Sequence, residues 1–158
     1  MEKKKLGYDD FIATVNSEDL DFVNELNELF VKYGCKLQVK EAKSGLVASY
    51  LLGKRSVANY VFRKKGLFIR IYPGGLDAYL PFLETLPEGM AKAVADAPVC
   101  KRLVDPYACN SKCPMGYQFT LKGERHQKCR YSAFFFLLCP ENNPTVKAFL
   151  EKELEASA

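Results

Sequence analysis

Five of the six cysteines follow position 99, and the only histidine of the chain lies among them. The tightest group is Cys109-x3-Cys113, followed by His126-x2-Cys129. Three thiolates and one imidazole are ligands that Zn²⁺ prefers, and four is the number that a tetrahedral site needs. The spacing therefore predicts a zinc- or thiol-based sensor, or a structural zinc site, at Cys109, Cys113, His126 and Cys129.

Other roles for these cysteines stay open. A free cysteine is a small apolar side chain that is often buried in a core. Lysine and arginine neighbours, such as Lys128 and Arg130, favour the reactive thiolate and so a redox role. A loop cysteine paired with His126 would make a cysteine-dependent enzyme, but no third group that would orient the histidine is identified. The residues leave enzymatic activity uncertain and favour a protein without it.

A second set of chemically capable residues lies on an acidic helix near the N-terminus. Glu18, Asp21, Glu25 and Glu28 are spaced three and four apart, which places them on one side of a helix. Carboxylate oxygens are ligands for hard or borderline cations, so the spacing is compatible with a weak iron site. A solvated helix face and a partner-docking face are the alternatives. Zinc and iron are thus both candidate cofactors.

Charge is strongly segregated along the chain, although the net charge is only +4. Residues 6–31 contain seven acidic residues and no basic one, whereas residues 54–70 contain six basic residues and no acidic one. Aromatic side chains near the basic segment, among them Tyr60, Phe62 and Phe68, raise the question of nucleic acid. The chain lacks the sequence motifs of the common nucleic-acid-binding modules, which disfavours that partner. We expect a small molecule or a metal ion instead.

The periodicity of the apolar residues predicts the elements that position these groups. A short helix, an amphipathic helix at about 17–33 and four alternating segments within 35–72 come first, joined by short turns. A helical segment broken at Pro81, a helix at about 88–97, further strands after position 116 and a helix capped by Asn143 follow. The order predicts an α+β fold, with a mainly antiparallel sheet of about five to six strands and N-terminal, central and C-terminal helices packed on it.

The 158 residues predict a single domain, 1–158, with a cysteine-rich insert at about 100–129. The basic N-terminus is not followed by an apolar stretch of the signal-peptide kind, and no apolar run is long enough to cross a bilayer. We therefore expect a cytoplasmic protein with no membrane partner. The residues do not specify an oligomeric state.

Three segments resemble those of a known family. The opening YDDFIATV, the hairpins that end in GLFIRIYP and the closing helix NNPTVKAFLEKEL resemble the small bacterial YdhG-like proteins, which are largely uncharacterised. The resemblance implies a bacterial protein with a compact, frataxin-like α+β fold and a role as an iron chaperone. It also implies that Glu18, Asp21, Glu25 and Glu28 are the iron ligands. The insert at about 100–129 departs from the family.

Taken together, the residues and the resemblance favour a non-catalytic cytoplasmic binding protein whose ligand is a small molecule or a metal ion. The resemblance implies that the ligand is iron and that the acidic helix binds it. A zinc or thiol sensor built on the cysteine-rich segment is the alternative, and a cysteine-dependent enzyme is the third hypothesis.

Overall fold

The structure is a computed structural model that describes residues 5–100, 107, 116–121, 123–129 and 131–157. Its helices are α1 (Tyr8–Ile12), α2 (Ser17–Lys32), α3 (Glu88–Asp96) and α4 (Asn143–Ser157), with a 3-10 helix at Leu76–Thr85. Its strands are β1 (Lys36–Ala42), β2 (Gly45–Leu52), β3 (Arg55–Arg63), β4 (Gly66–Ile71), β5 (Tyr117–Leu121), β6 (Glu124–Lys128) and β7 (Phe135–Leu137). This arrangement confirms the α+β class.

The main sheet has five antiparallel strands in the order β1-β2-β3-β4-β7. Its first four strands form the meander that the period-two pattern predicts, because each is joined to the next by a two-residue turn. Gly53 and Gly66 have φ angles of +66° and +140°, a region that glycine adopts without a steric cost. The strands β5 and β6 pair with each other and form a separate two-stranded ribbon, and Lys128 of β6 also forms an isolated antiparallel bridge with Val99.

One face of the main sheet carries the core. A continuous row of paired residues crosses all five strands on this face, and each of its members is at most 8% exposed: Val39, Ala48, Tyr60, Ile69 and Phe136. The ring of Phe11 from α1 stacks on Tyr60 with a centroid distance of 5.3 Å. Burial of such aromatic and aliphatic groups is the main free-energy gain of folding. We call this the covered face.

The other helices pack on the same face. Phe30 of α2 stacks on Tyr50 at 4.0 Å between ring centroids, and Phe149 of α4 lies 6.4 Å from Phe136. The apolar face of the last helix is fully buried and consists of Val146, Phe149, Leu150 and Leu154. Every helix-to-sheet ring contact in the described part of the chain lies on the covered face.

The segment after β4 departs from a regular helix. Residues Leu76–Thr85 form 3-10 turns, and the backbone breaks at Tyr79, where φ is −139° and ψ is 32°. Pro81 removes a backbone donor inside this segment, which explains why the predicted helix does not continue as an α-helix. Within the described ranges, no helix has the length and apolar character that crossing a membrane requires.

Candidate binding site on the open sheet face

The second face of the main sheet is built by the residues that alternate with those of the core. One residue away from the covered row, a second row crosses the same strands: Gln38, Ser49, Asn59, Arg70 and Phe135. Gln38 is exposed and the other four are half-buried. Successive side chains of a strand point to opposite sides, so this row faces away from the helices. We call this side the open face.

An aromatic and cationic cluster lies at the β4–β7 side of the open face. The rings of Phe68 and Phe135 are stacked, with centroids 4.7 Å apart and planes 16° from parallel. The guanidinium carbon of Arg70 lies 5.0 Å from the centroid of Phe135, and that of Arg63 lies 5.7 Å away. These distances fall within the range of a cation–π interaction. Two positive charges and two rings therefore share one small area.

Neither arginine of this cluster has a carboxylate partner among the described residues. Arg63 donates one hydrogen bond, to the carbonyl oxygen of Phe62 at 3.3 Å. Arg55, on the same strand, instead pairs with the buried carboxylate of Glu153 at 3.1 Å. Among the described residues, Arg55 is thus paired with a carboxylate, whereas Arg63 and Arg70 have no such partner.

The charged side chains that the strands place on the open face are all positive. The five strands of the main sheet contain one acidic residue, Glu41, which alternates in phase with Val39 of the covered row. Lys36 and Lys40 of β1 are exposed and lie in phase with Gln38 of the open row. An anion that approaches this face meets only positive side chains from the strands.

Two polar atoms at the centre of the open face lack a hydrogen-bond partner among the described residues. The side-chain oxygen of Asn59 and the Nε of Arg70 are buried, and neither has a partner in the described part of the chain. These two residues are direct neighbours in the β3–β4 register. A buried polar atom without a partner costs free energy and requires an explanation. The described side chains thus leave this polar centre incomplete.

Apolar groups complete the surface around the cluster. Val61 lies opposite Phe68, and Phe68 lies opposite Leu137 in the strand register. Tyr131 is 49% exposed and packs edge-on against Tyr72 with 6.0 Å between ring centroids. The open face therefore combines an exposed cation, Arg63, and a half-buried one, Arg70, with partly exposed rings, which is a combination that suits a planar anionic ligand.

The predicted zinc set is only partly described. Cys109 and Cys113 lie outside the described residues. His126 is on β6, where its ring stacks on Phe119 at 5.6 Å, and Cys129 follows the same strand as a free thiol. The zinc hypothesis stays a prediction.

The acidic helix is described in full. Glu18, Asp21, Glu25 and Glu28 are all exposed on α2, and Glu25 accepts a 2.6 Å hydrogen bond from Lys147 of α4. Within the described ranges, no three His, Cys, Asp or Glu side chains are grouped so that they could hold a metal ion. The iron hypothesis gains no support from this geometry and stays a prediction, as does the role of these four residues.

Two cysteine thiols of the described part have shifted pKa values. Burial raises the pKa of Cys35, and burial also raises that of Cys139, where a hydrogen bond to Glu141 adds to the shift. A raised pKa disfavours the thiolate, which is the nucleophilic form. Neither thiol therefore has the character of an activated nucleophile.

A surface cavity of about 450 Å³ lies near the end of α1, lined by Thr14, Glu41, Ala42, Ser44, Gly45, Leu46 and Phe62. Glu41 is the only charged residue among the described ones that line it, and the hydroxyl of Thr14 already donates to the carbonyl oxygen of Phe11. A specific small-molecule site has a few convergent polar groups. This cavity offers fewer such groups than the open face.

Comparison with known proteins gives no relative: the chain matches no protein-family model, no curated protein and no solved structure. The resemblance to the YdhG-like family accordingly stays a prediction.

Sequence reasoning singled out the basic hairpins but did not identify this site. Tyr60 and Phe62, which stand near the basic residues in sequence, alternate onto the covered face. The ring that matters is Phe135, which is 65 residues beyond Arg70 and reaches it because β7 pairs with β4. The alternation of the strands was a usable signal that Arg63, Phe68 and Arg70 share one face. No sequence pattern indicated that β7 pairs with β4.

Proposed function

We propose that this protein is a non-catalytic binding protein that binds an anionic ligand with a planar ring, such as a nucleotide, on the open face. The observation that carries the proposal is the pair of guanidinium groups of Arg63 and Arg70 over the ring of Phe135, without a described carboxylate partner. A guanidinium binds phosphate or carboxylate oxygens by two parallel hydrogen bonds. An adjacent stacked ring adds contact area for a planar group. We propose a cytoplasmic site of action.

The proposal is tested by a nuclear magnetic resonance titration with adenosine monophosphate. We expect backbone shifts confined to β3, β4 and β7, with weak affinity, since a shallow face covers only part of a small ligand. Adenosine and inorganic phosphate, each of which supplies one half of the ligand, should bind more weakly than the nucleotide. Shifts on α2 instead, or no shifts at all, would contradict the proposal.

Variants identify the residues that bind. Arg70→Gln and Phe135→Leu should each weaken the binding of adenosine monophosphate, because one removes a charge and the other a stacking surface. Arg125→Gln is the matched control, since Arg125 is an exposed arginine on the separate ribbon that donates to Gln118. Equal affinity of all four proteins would remove the site from the open face. Thermal melts of each variant establish that the fold is retained.

A further inference from the structure

The positive charge of the open face extends beyond the cluster at Phe135. Neighbouring strands lie about 4.8 Å apart, so the five strands span roughly 19 Å. Lys36 and Lys40 stand on β1 at one edge, whereas Arg70 stands on β4, about 14 Å away by the same spacing. A mononucleotide has one phosphate group and can satisfy only one of these two basic areas. The face is therefore suited to a ligand with several anionic groups along its length.

We propose, resting on the proposed function, that the ligand is single-stranded RNA that lies across the open face from β1 to β7. Its phosphates pair with the lysines of β1 and with Arg63 and Arg70, and one of its bases stacks against the pair formed by Phe68 and Phe135. Single strands are generally bound by such a combination of a basic surface and aromatic rings.

An acidic peptide matches this surface less well. Its carboxylates would pair with the same cations, but carboxylate side chains would leave the aromatic cluster without a stacking partner. A nucleic-acid strand alternates anions with planar rings and so uses both features. Every base has a flat face, which makes this kind of contact tolerant of sequence.

A single strand fits better than a duplex. The bases of a duplex are already stacked on each other, and the deep major groove of an RNA duplex excludes side chains. The rings of Phe68 and Phe135 lie on a sheet surface and are partly exposed, so an unpaired base can reach them. A duplex would offer this face only its phosphates.

An exposed amide side chain on the open face favours RNA over DNA. Gln38 lies between Lys36 and Lys40 on β1, its side chain is exposed, and no described residue is hydrogen-bonded to its side-chain oxygen. The ribose 2′-hydroxyl is a hydrogen-bond donor that the DNA backbone lacks. RNA therefore supplies a donor that can reach the exposed side-chain oxygen of Gln38.

Isothermal titration calorimetry with unlabelled uridine oligonucleotides tests the proposal on the full chain. The series is uridine monophosphate, then strands of three, six and twelve nucleotides, because a dye label would itself be a charged ring. We expect affinity to rise at least about tenfold from the monophosphate to the six-nucleotide strand, since each stacked base contributes. A six-nucleotide thymidine DNA strand, a duplex RNA and hexaglutamate should all bind more weakly.

Two substitutions separate charge from stacking. The slope of log affinity against log salt concentration is negative. Arg70→Gln should reduce its magnitude by about 0.7, because one phosphate contact to a single strand is lost. Phe135→Leu should leave that slope unchanged and weaken binding by roughly 5- to 100-fold. Arg125→Gln is the control for the charge change and should alter neither quantity.

Each contrary outcome has a separate meaning. If the monophosphate binds at the open face and longer strands bind no better, the RNA inference is wrong and the proposed function stands. If neither binds, both are wrong. Equal affinity for the DNA strand overturns the choice of RNA, and equal affinity for hexaglutamate identifies an acidic protein surface as the partner instead.

Discussion

The hydroxyl of Tyr79 donates a 2.6 Å hydrogen bond to Oε1 of Glu153, which joins the 3-10 helix to the last helix of the chain. The backbone N–H groups of Gly74 and Gly75 donate to the same carboxylate at 2.8 and 3.1 Å. Ser157 and Arg55 complete its partners. The carboxylate is fully buried and fixes the segment that leaves β4, which borders the main sheet.

Replacing this carboxylate should destabilise the protein strongly. In Glu153→Gln one carboxylate oxygen becomes an amide NH₂ group, which cannot accept the hydrogen bonds that were donated to that oxygen. Arg55 also loses its charged partner. We expect the free energy of unfolding, measured with urea, to fall by about 3 kcal/mol or more. Glu155→Gln, at an exposed position of the same helix, is the matched control and should change it by less than about 0.5 kcal/mol. Similar losses in both variants would contradict this role.

The same group gives the stability a defined pH dependence. Burial alone would raise the pKa of Glu153, but the hydrogen bonds from Tyr79, Gly74 and Gly75 outweigh it and lower the pKa below the usual 4.5. The unfolded chain therefore binds this proton at a higher pH than the folded chain does. The stabilisation is fully present above pH 4.5 and is lost as the pH falls through the folded value.

Urea unfolding of the wild type and of Glu153→Gln between pH 7 and about pH 3 measures this contribution. The other carboxylates titrate in both proteins, so the difference between the two curves isolates Glu153. We expect that difference to shrink as the pH falls below 4.5. A difference that stays constant over the whole range would show that folding does not lower the pKa of Glu153.

Removal of the Tyr79 hydroxyl tests one donor by itself. Tyr79→Phe leaves the ring in place but takes a hydrogen bond from a buried charge, so we expect a loss of about 1–3 kcal/mol in the free energy of unfolding. Tyr33→Phe is the comparison, because Tyr33 is only half-buried and no described residue is hydrogen-bonded to its hydroxyl. Equal stability of the two variants would show that the hydroxyl of Tyr79 contributes nothing.

Two glycines should respond to alanine in opposite directions. A Cβ at Gly75 would lie 2.9 Å from the Cβ of Ala156, so Gly75→Ala forces the last helix away and should cost about 1–3 kcal/mol. A Cβ at Gly89 meets open space, and this residue is in α3, so Gly89→Ala should stabilise by roughly 0.5–1 kcal/mol. Thermal melts give both signs, and the same sign for both would contradict the argument.

The buried lysine of the ribbon also has a structural role. The Nζ of Lys128 donates to the carbonyl oxygens of Ala95 and Ala97 at 2.8 and 2.9 Å, near the C-terminal end of α3. Lys128→Met leaves both carbonyls without this donor and should lower the free energy of unfolding by about 1–3 kcal/mol. Lys92→Met, on the exposed side of α3, should have little effect. Chemical denaturation distinguishes the two.

The local elements of the fold were predictable from the sequence, because each depends on neighbouring residues. The alternation from Leu37 to Tyr72 was enough to predict the meander, and Asn143 marked the start of the last helix. The separate ribbon was not predictable, since nothing in the alternation of β5 and β6 states which sheet they join. The same limit applies to β7, whose pairing with β4 brings Phe135 to the arginines.

The buried carboxylate illustrates a second limit. Glu153 lies on the apolar side of a helix, among buried residues that follow the helical period. Because a charged residue is normally expected at the surface, the sequence alone does not indicate that Glu153 is buried. Its partners come from β3, the segment after β4, the 3-10 helix and the end of α4. Only the folded chain brings these donors to one point.

The alternation of the covered and open rows has a consequence for insertions and deletions. Core residues and proposed ligand-binding residues occupy alternate positions of the same strands, so adding one residue inside β4 would exchange the two sets beyond that point. Ile69 would face solvent and Arg70 would face the core. Insertions and deletions in the main sheet should therefore be tolerated only in its turns or in steps of two residues. Selection for a folded core would then also keep the same residues on the open face.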